Sequence, residues 1–152
     1  MTKKLFITVG ISKSGKSTWC HSVIDKLENT ELISLDEIKK YGPQKPSYLI
    51  AFKWIKNYLR HGNVLFDANN CKYEHRLALL DMIKNIDCEK YVVKFDVSLE
   101  ASIKRIEPGS YMTEAILSRQ YSEFAHDIDK LNEFRVLSKF EFENLFCNVK
   151  NT

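Results

Sequence analysis

The segment Gly10-Ile11-Ser12-Lys13-Ser14-Gly15-Lys16-Ser17-Thr18 follows directly on the apolar run Leu5-Phe6-Ile7-Thr8-Val9. A G-x-x-x-x-G-K-[ST] pattern after a strand is built to grip phosphate. Gly10 and Gly15 let the backbone turn tightly without a Cβ in the way. The N–H groups of Ser12, Lys13, Ser14, Gly15, Lys16, Ser17 and Thr18 can then point inward as an anion nest. Lys16 adds a full positive charge near the outer phosphates of a nucleoside triphosphate, and the Ser17 hydroxyl is placed to hold Mg²⁺. The helix expected to start here adds the positive end of its dipole. The plainer alternative is an ordinary strand-to-helix turn. Lys13 stands where such loops often carry a further glycine, adding charge and removing freedom.

Two carboxylates follow. Asp67 ends the apolar strand Val64-Leu65-Phe66, the arrangement in which an Asp holds Mg²⁺ directly or through water. A turn or helix-capping Asp is the alternative. Asp36 ends the short strand Leu32 to Leu35, where a carboxylate can accept the proton of an acceptor hydroxyl during phosphoryl transfer. Glu37 competes for that role, and a helix N-cap is the alternative for Asp36. Lys39 lies three residues on and shares a face with Asp36 if the chain turns helical there, where it can hold an acceptor phosphate or simply be solvated. Lys104-Arg105 ends a helix before Glu107-Pro108-Gly109, a place for a lid cation that stabilises developing phosphoryl charge, or for a plain helix C-terminal cation. Arg119 follows one helix later.

Other candidates carry less. Lys53, Lys56 and Arg60 fall on one helix face near Tyr41, Tyr48, Trp54 and Tyr58, a mixture that can track a single nucleic-acid strand. The bland reading is a solvated face with the aromatics in the core. His21, His61, His75 and His126 form no triad or metal spacing and read as surface or structural residues. Cys20, Cys71, Cys88 and Cys147 form no C-x-x-C pair and read as reduced thiols of a cytoplasmic protein.

These residues must be carried by elements. The 152 residues suit one domain with a real core, and the net charge of +3 permits an anionic partner without demanding one. No run of eighteen apolar residues is present, so no membrane span is expected, and the N-terminus lacks the apolar stretch of a signal peptide. Patterning alternates between strand and helix, which predicts an α/β fold with a mostly parallel sheet. Strands are expected at about 5–9, 32–35, 64–67 and 91–97, and helices at about 16–28, 48–60, 73–85, 98–106 and from 113 into the early 120s. The segment 41–46, with two prolines, is a loop. The tail from Asp127 to Phe146 carries Ile128, Leu131, Phe134 and Leu137 at helical spacing and is expected to pack back as a helical extension, with a partner surface as the alternative. In a parallel sheet the phosphate loop, Asp36 and Asp67 share the carboxyl edge, where ligands of open α/β sheets bind.

The combined order of these segments resembles the 5′-kinase domain of phage-type polynucleotide kinase. Gly15-Lys16-Ser17-Thr18-Trp19 continues the loop, Asp36 is followed by a cation three residues on, and Asp67-Ala68-Asn69-Asn70 precedes Tyr73-Glu74-His75-Arg76-Leu77-Ala78. Lys94-Phe95-Asp96-Val97 then leads to the helix ending Lys104-Arg105, so the likeness covers about residues 3–124, with 125–152 as the extension. It implies a P-loop NTPase fold of the nucleoside- and nucleotide-kinase type, with about four strands, flanking helices and a helical lid. Lys16 and Ser17 would bind ATP phosphates and Mg²⁺, Asp36 would be the general base for a 5′-hydroxyl, Asp67 the essential carboxylate of the third strand, and Arg105 the first lid arginine. Lys39 stands where the family has an arginine that grips the acceptor's 3′-phosphate, which keeps charge but loses the bidentate fork. The second lid arginine has no match, since 106–110 read Ile-Glu-Pro-Gly-Ser, and the phosphatase domain of some relatives is not in this chain.

The expected activity is an ATP-dependent kinase of a nucleic-acid 5′-hydroxyl end. A P-loop kinase of a nucleoside, nucleotide, metabolite or aminoacyl-tRNA is the first alternative, and a non-catalytic ATP-binding regulator the second. No N-K-x-D motif is present to read guanine, and the chain is short for a motor ATPase. Oligomeric state and the residues that read adenine stay open.

Overall fold

The structure is a computed structural model and describes residues 2–41, 47–127 and 134–147. The chain begins with β1 (Lys3–Val9), the phosphate loop and α1 (Lys16–Val23), which runs on as a 3₁₀ turn over Ile24–Lys26. Then come β2 (Thr30–Ser34), α2 (Leu35–Tyr41), α3 (Ser47–Leu59), β3 (Asn63–Asp67), α4 (Tyr73–Met82), β4 (Cys88–Lys94), α5 (Leu99–Ile103) and α6 (Glu114–Asp127). Beyond the undescribed segment lie β5 (Arg135–Leu137) and α7 (Lys139–Phe146).

The strands form one parallel sheet in the order β2-β3-β1-β4-β5. β1 is central because Leu5, Ile7 and Val9 bury against one helical layer while Phe6 buries against the other, leaving no polar face for water. Residues alternate across a strand, so each side of the sheet has its own core. On one side Leu5, Ile7, Val64, Phe66 and Val92 meet Phe52, Ile55 and Leu59 of α3, Leu79 of α4 and Leu117 and Phe124 of α6. On the other, Phe6, Leu65, Tyr91 and Val93 meet Trp19 and Val23 of α1 and Phe142 of α7. Phe6, Trp19, Phe95, Phe142 and Phe146 make edge-on ring contacts there, with centroids 4.9–5.4 Å apart.

Two expectations need correcting. The sheet has five strands rather than about four. The fifth lies in the tail that was expected to be helical. Ile128 and Leu131 fall outside the described residues, Phe134 precedes a strand, and Leu137 ends it, paired in parallel with Val93. The edge of β4 needed a partner for its N–H and C=O groups, and three residues supply it. The chain then turns into α7 through a capping box. Ser138 Oγ accepts from Glu141 N at 3.1 Å and Glu141 Oε1 accepts from Ser138 N at 2.9 Å. The loop 42–46 also lies outside the described residues. No helix among the described residues is long and apolar enough to cross a membrane.

Candidate active site at the carboxyl edge of the sheet

β1 delivers the chain into the phosphate loop at its carboxyl end. Gly10 packs so tightly that a Cβ there would sit 2.8 Å from Phe95 Cβ, so the first glycine is a close-approach residue behind the loop. Gly15 has φ +94 and caps α1 with no side-chain partner, leaving the first N–H groups of the helix open to the cavity. Lys13 also sits in the left-handed region, at φ 63, a costly conformation for a lysine. It turns its carbonyl outward to accept from Arg105 Nη1 at 2.8 Å and from Ser102 Oγ at 3.4 Å. The cation at the end of α5 therefore rests directly on the loop.

Lys16 is buried, and its ammonium donates to Ile11 O at 2.5 Å and Ser14 Oγ at 3.3 Å. Burial pulls its pKa down to about 8, with the charges of Asp67 and Asp36 pulling it back up. Ser17 Oγ donates to Asp67 Oδ2 at 2.7 Å. Asp67 is itself buried, and that burial raises its pKa while Ser17 and Lys16 hold it down. Its carboxylate faces the loop and caps no helix. Ser17 and Asp67 suit Mg²⁺ well, since that ion takes one or two protein oxygens and completes its shell with phosphates and water. No group of three or more His, Cys, Asp or Glu that could hold a metal exists among the described residues.

The loop after β3 is locked in place. Thr8 Oγ1 donates to Ala68 O at 2.8 Å, Asn70 Nδ2 donates to Thr8 O at 2.9 Å, and Gly10 N donates to Asn69 O at 3.0 Å. Arg76, among the largest fully buried side chains, donates to Asn70 O at 2.7 Å, Cys71 O at 3.1 Å and Asp127 O at 2.6 Å. One guanidinium thus ties the loop that follows Asp67 to the end of α6.

Asp36 does not end β2. The strand stops at Ser34, and Asp36 occupies the first turn of α2. Ser34 Oγ receives the N–H of Glu37 at 3.4 Å, so the capping role falls to Ser34. Helix phase then separates the two acids. Glu37 pairs with Lys40 at 3.0 Å on the surface, while Asp36 and Lys39 line the cavity.

That cavity, about 870 Å³, is lined by Ser12 to Trp19, by Asp36, Lys39, Tyr48, Asp67 and Asn69, and on the far side by Arg105, Tyr111, Gln120 and Lys139. Of the phosphate loop, Ser12 to Thr18 line it and Gly10 does not, and Asp36, Lys39, Asp67 and Arg105 line it with them. Arg119 is exposed and does not, and no second arginine joins Arg105 among the lining residues. His75 stacks on Tyr48 at 3.8 Å, a packing role, and burial lowers its pKa. All four cysteines are buried, and burial pushes the Cys71 thiol up to about 11.

Among the lining residues that sequence reasoning missed, Gln120, Lys139 and Tyr111 stand out. Gln120 Oε1 accepts the N–H of Ser12 at 2.8 Å, linking α6 to the loop across 108 positions. Nothing in the sequence marks a glutamine for that. Lys139 reaches the cavity from α7, its ammonium 5.5 Å from the Phe95 ring centroid. The Ser138-x-x-Glu141 box that starts α7 was readable; its place beside the loop was not. Tyr111 stands 81% exposed at the cavity rim.

A family model described as an AAA domain matches residues 5–114. No curated protein matches the sequence. Among solved structures, a chain of the Pnkp1/Rnl/Hen1 RNA repair complex superposes with a TM-score of 0.76 at 18% identity, over 88% of this chain and 47% of that one. This chain thus spans about half the length of that relative. A gluconokinase from Sinorhizobium meliloti 1021 superposes at 0.62 with 15% identity, over 89% and 82% of the two chains. The thymidylate kinase of Candida albicans superposes at 0.58 with 14% identity, over 95% and 89%. At such identities the likeness is one of fold, and the fold is that of the P-loop kinases.

Proposed function

The chain belongs to the family described as an AAA domain, with a P-loop kinase fold, and from that premise we propose that it transfers the γ-phosphate of ATP to the 5′-hydroxyl end of a nucleic acid. One observation carries the reading: a carboxylate and a cation, Asp36 and Lys39, face the phosphate loop from a single helix turn across one cavity. The likeness to a chain of an RNA repair complex supports this choice of acceptor.

In this reading Ser12 to Thr18 hold the phosphates by backbone N–H groups, and Lys16 leaves Ile11 O to meet the outer phosphates. Ser17 and Asp67 would hold Mg²⁺, which when bound neutralises phosphate charge. Asp36 takes the proton of the acceptor hydroxyl as that oxygen bonds to the γ-phosphorus. The bond from the γ-phosphorus to the bridging oxygen breaks, and ADP leaves. Arg105 turns from Lys13 O toward the transferring group, where a fixed cation bears charge better than water does. Lys39 holds the acceptor's nearest phosphate. Residues 1–152 act as one kinase domain, with the strand and helix after position 124 closing the nucleotide side.

A second reading has its own support. The gluconokinase and the thymidylate kinase are covered over most of their length, which suits a small acceptor. Transfer of label from γ-labelled ATP separates the two, with hydroxyl-ended oligonucleotides, nucleosides, nucleotides, sugars and aminoacyl-tRNA as acceptors and Lys16→Ala as the blank. Label on the oligonucleotide is the expected result. Label on a small acceptor alone replaces this reading with the second. Tight ATP binding with no transfer makes the chain a nucleotide-binding regulator.

A further inference from the structure

Helix α3 buries Ala51, Phe52, Ile55 and Leu59 and turns its opposite side to water. That side holds Trp54 at 49% and Tyr58 at 40% exposure. Both lie outside the core, so the expectation of buried aromatics fails for them. Lys53 and Arg60 are exposed and Lys56 is half-buried, and none of the three forms an ion pair among the described residues.

The sequence through this helix is one-sidedly basic. Positions 38–66 hold six of the 23 Lys and Arg residues and none of the 20 Asp and Glu, so +6 sits in this stretch and the rest of the chain sums to −3. At about 100° per residue, Lys53, Lys56 and Arg60 share one flank of α3, within an arc of about 60°. Trp54 and Tyr58 share the other, with Asn57 on the crest between them. The two side chains leave the helix about 6 Å apart along its axis, wider than the roughly 3.4 Å of stacked bases in a duplex. That spacing suits unstacked bases of a single strand, and the cationic flank suits its phosphates. Tyr48, at the start of α3, lines the cavity beside Asp36 and Lys39, so the helix runs outward from the acceptor side.

We propose that the outer face of α3 is a track for single-stranded nucleic acid, with bases on Trp54 and Tyr58 and phosphates on Lys53 and Arg60, holding the acceptor strand beyond its 5′ end. This rests on the kinase reading above for its connection to the cavity, but binding of the strand is measurable without catalysis.

The test uses the full chain and a 5′-hydroxyl oligonucleotide of roughly twelve nucleotides, labelled at its 3′ end and followed by fluorescence anisotropy, with KM measured for that oligonucleotide and for a dinucleotide. The double variant Trp54→Ala/Tyr58→Ala is expected to weaken binding of the long strand tenfold or more and to leave the dinucleotide KM unchanged. Lys53→Glu/Arg60→Glu is expected to make the logarithmic salt dependence shallower by about 1.4, from roughly 0.7 per single-strand phosphate contact. Lys84→Glu, an exposed charge reversal paired with Asp81 elsewhere, serves as the control and is expected to change nothing. Circular dichroism and ATP affinity check that each variant folds. Phosphorylation with a KM independent of strand length and of Trp54 and Tyr58 overturns the track and leaves the kinase reading intact. Binding that needs these residues, with no transfer to any oligonucleotide, upholds the track and overturns the kinase reading. Binding of acidic peptides but no oligonucleotide overturns the track in favour of a protein partner.

Discussion

The two sides of the cavity are built differently. On the triphosphate side nearly every polar group is already engaged: Lys16 with Ile11 and Ser14, Ser17 with Asp67, Lys13 with Arg105, Ser12 with Gln120. Thr8, Asn70 and Arg76 lock the supporting loop behind them. On the acceptor side Asp36 and Lys39 project from a seven-residue helix whose cap is a single 3.4 Å contact from Ser34. A rigid, buried side suits a ligand common to the whole fold. Exposed side chains suit the partner that differs between kinases, since changing Asp36 or Lys39 disturbs no core, whereas Leu35 and Ile38 of the same helix are buried. In the proposed reading, phosphate chemistry is thus concentrated in one half and acceptor choice in the other.

Mutations can break or sharpen that division. Asp36→Asn is expected to cost about 10²- to 10⁴-fold in transfer rate while ATP affinity, set by the other side, is unchanged. Single-turnover transfer and nucleotide titration check it, and near-normal turnover would remove Asp36 from the role of base. Arg105→Ala should lower kcat by about 10²- to 10³-fold, the usual loss for one charge-stabilising donor. A purely structural tether to Lys13 would appear as lost thermal stability with kcat retained. Lys39→Ala should raise the acceptor KM by about ten- to a hundredfold without moving the KM for ATP, while Lys39→Arg should hold or improve it through the added fork. Equal shifts in both KM values would show that the two sides are not separable.

The smallest effect concerns α7. Ser138→Ala should lower unfolding stability by about 1 kcal/mol, read by denaturant titration. Glu141 in the same box has its pKa lowered, first by the backbone N–H of Ser138. A depressed carboxylate stabilises the fold above its unfolded pKa, and that contribution disappears as pH falls through the lower folded value. Acid titration should therefore narrow the stability gap between wild type and Glu141→Ala as pH falls, while the loss from Ser138→Ala, which removes an uncharged acceptor, persists.

The same division governs what was legible. The triphosphate side lies in one short stretch whose glycines, lysine and serine each have a distinct physical task, so a single chain displays it. Asp36 was placed on the correct edge but on the wrong element. Adjacent residues of a helix point about 100° apart, and only the phase set by Ser34 decides between Asp36 and Glu37. The tail misled because Ile128, Leu131, Phe134 and Leu137 fit a helical template. A three-residue strand at a sheet edge is too short to show alternation, and Arg135 and Val136 are both exposed. Gln120 and Lys139 meet the phosphate loop only through tertiary packing, which no local pattern encodes.

The position of β1 has a consequence for how the protein is made. Among the strands it is the first to leave the ribosome, yet its two neighbours, β3 and β4, are completed only at Asp67 and Lys94. At roughly 5 to 20 residues per second, the 85 residues from Val9 to Lys94 take on the order of 4 to 17 s to translate. Until Asp67 is made, Leu5, Phe6, Ile7 and Val9 have neither flanking strand, and until Lys94 they still lack one, so this apolar ribbon stays open to pairing with other chains while the rest is translated.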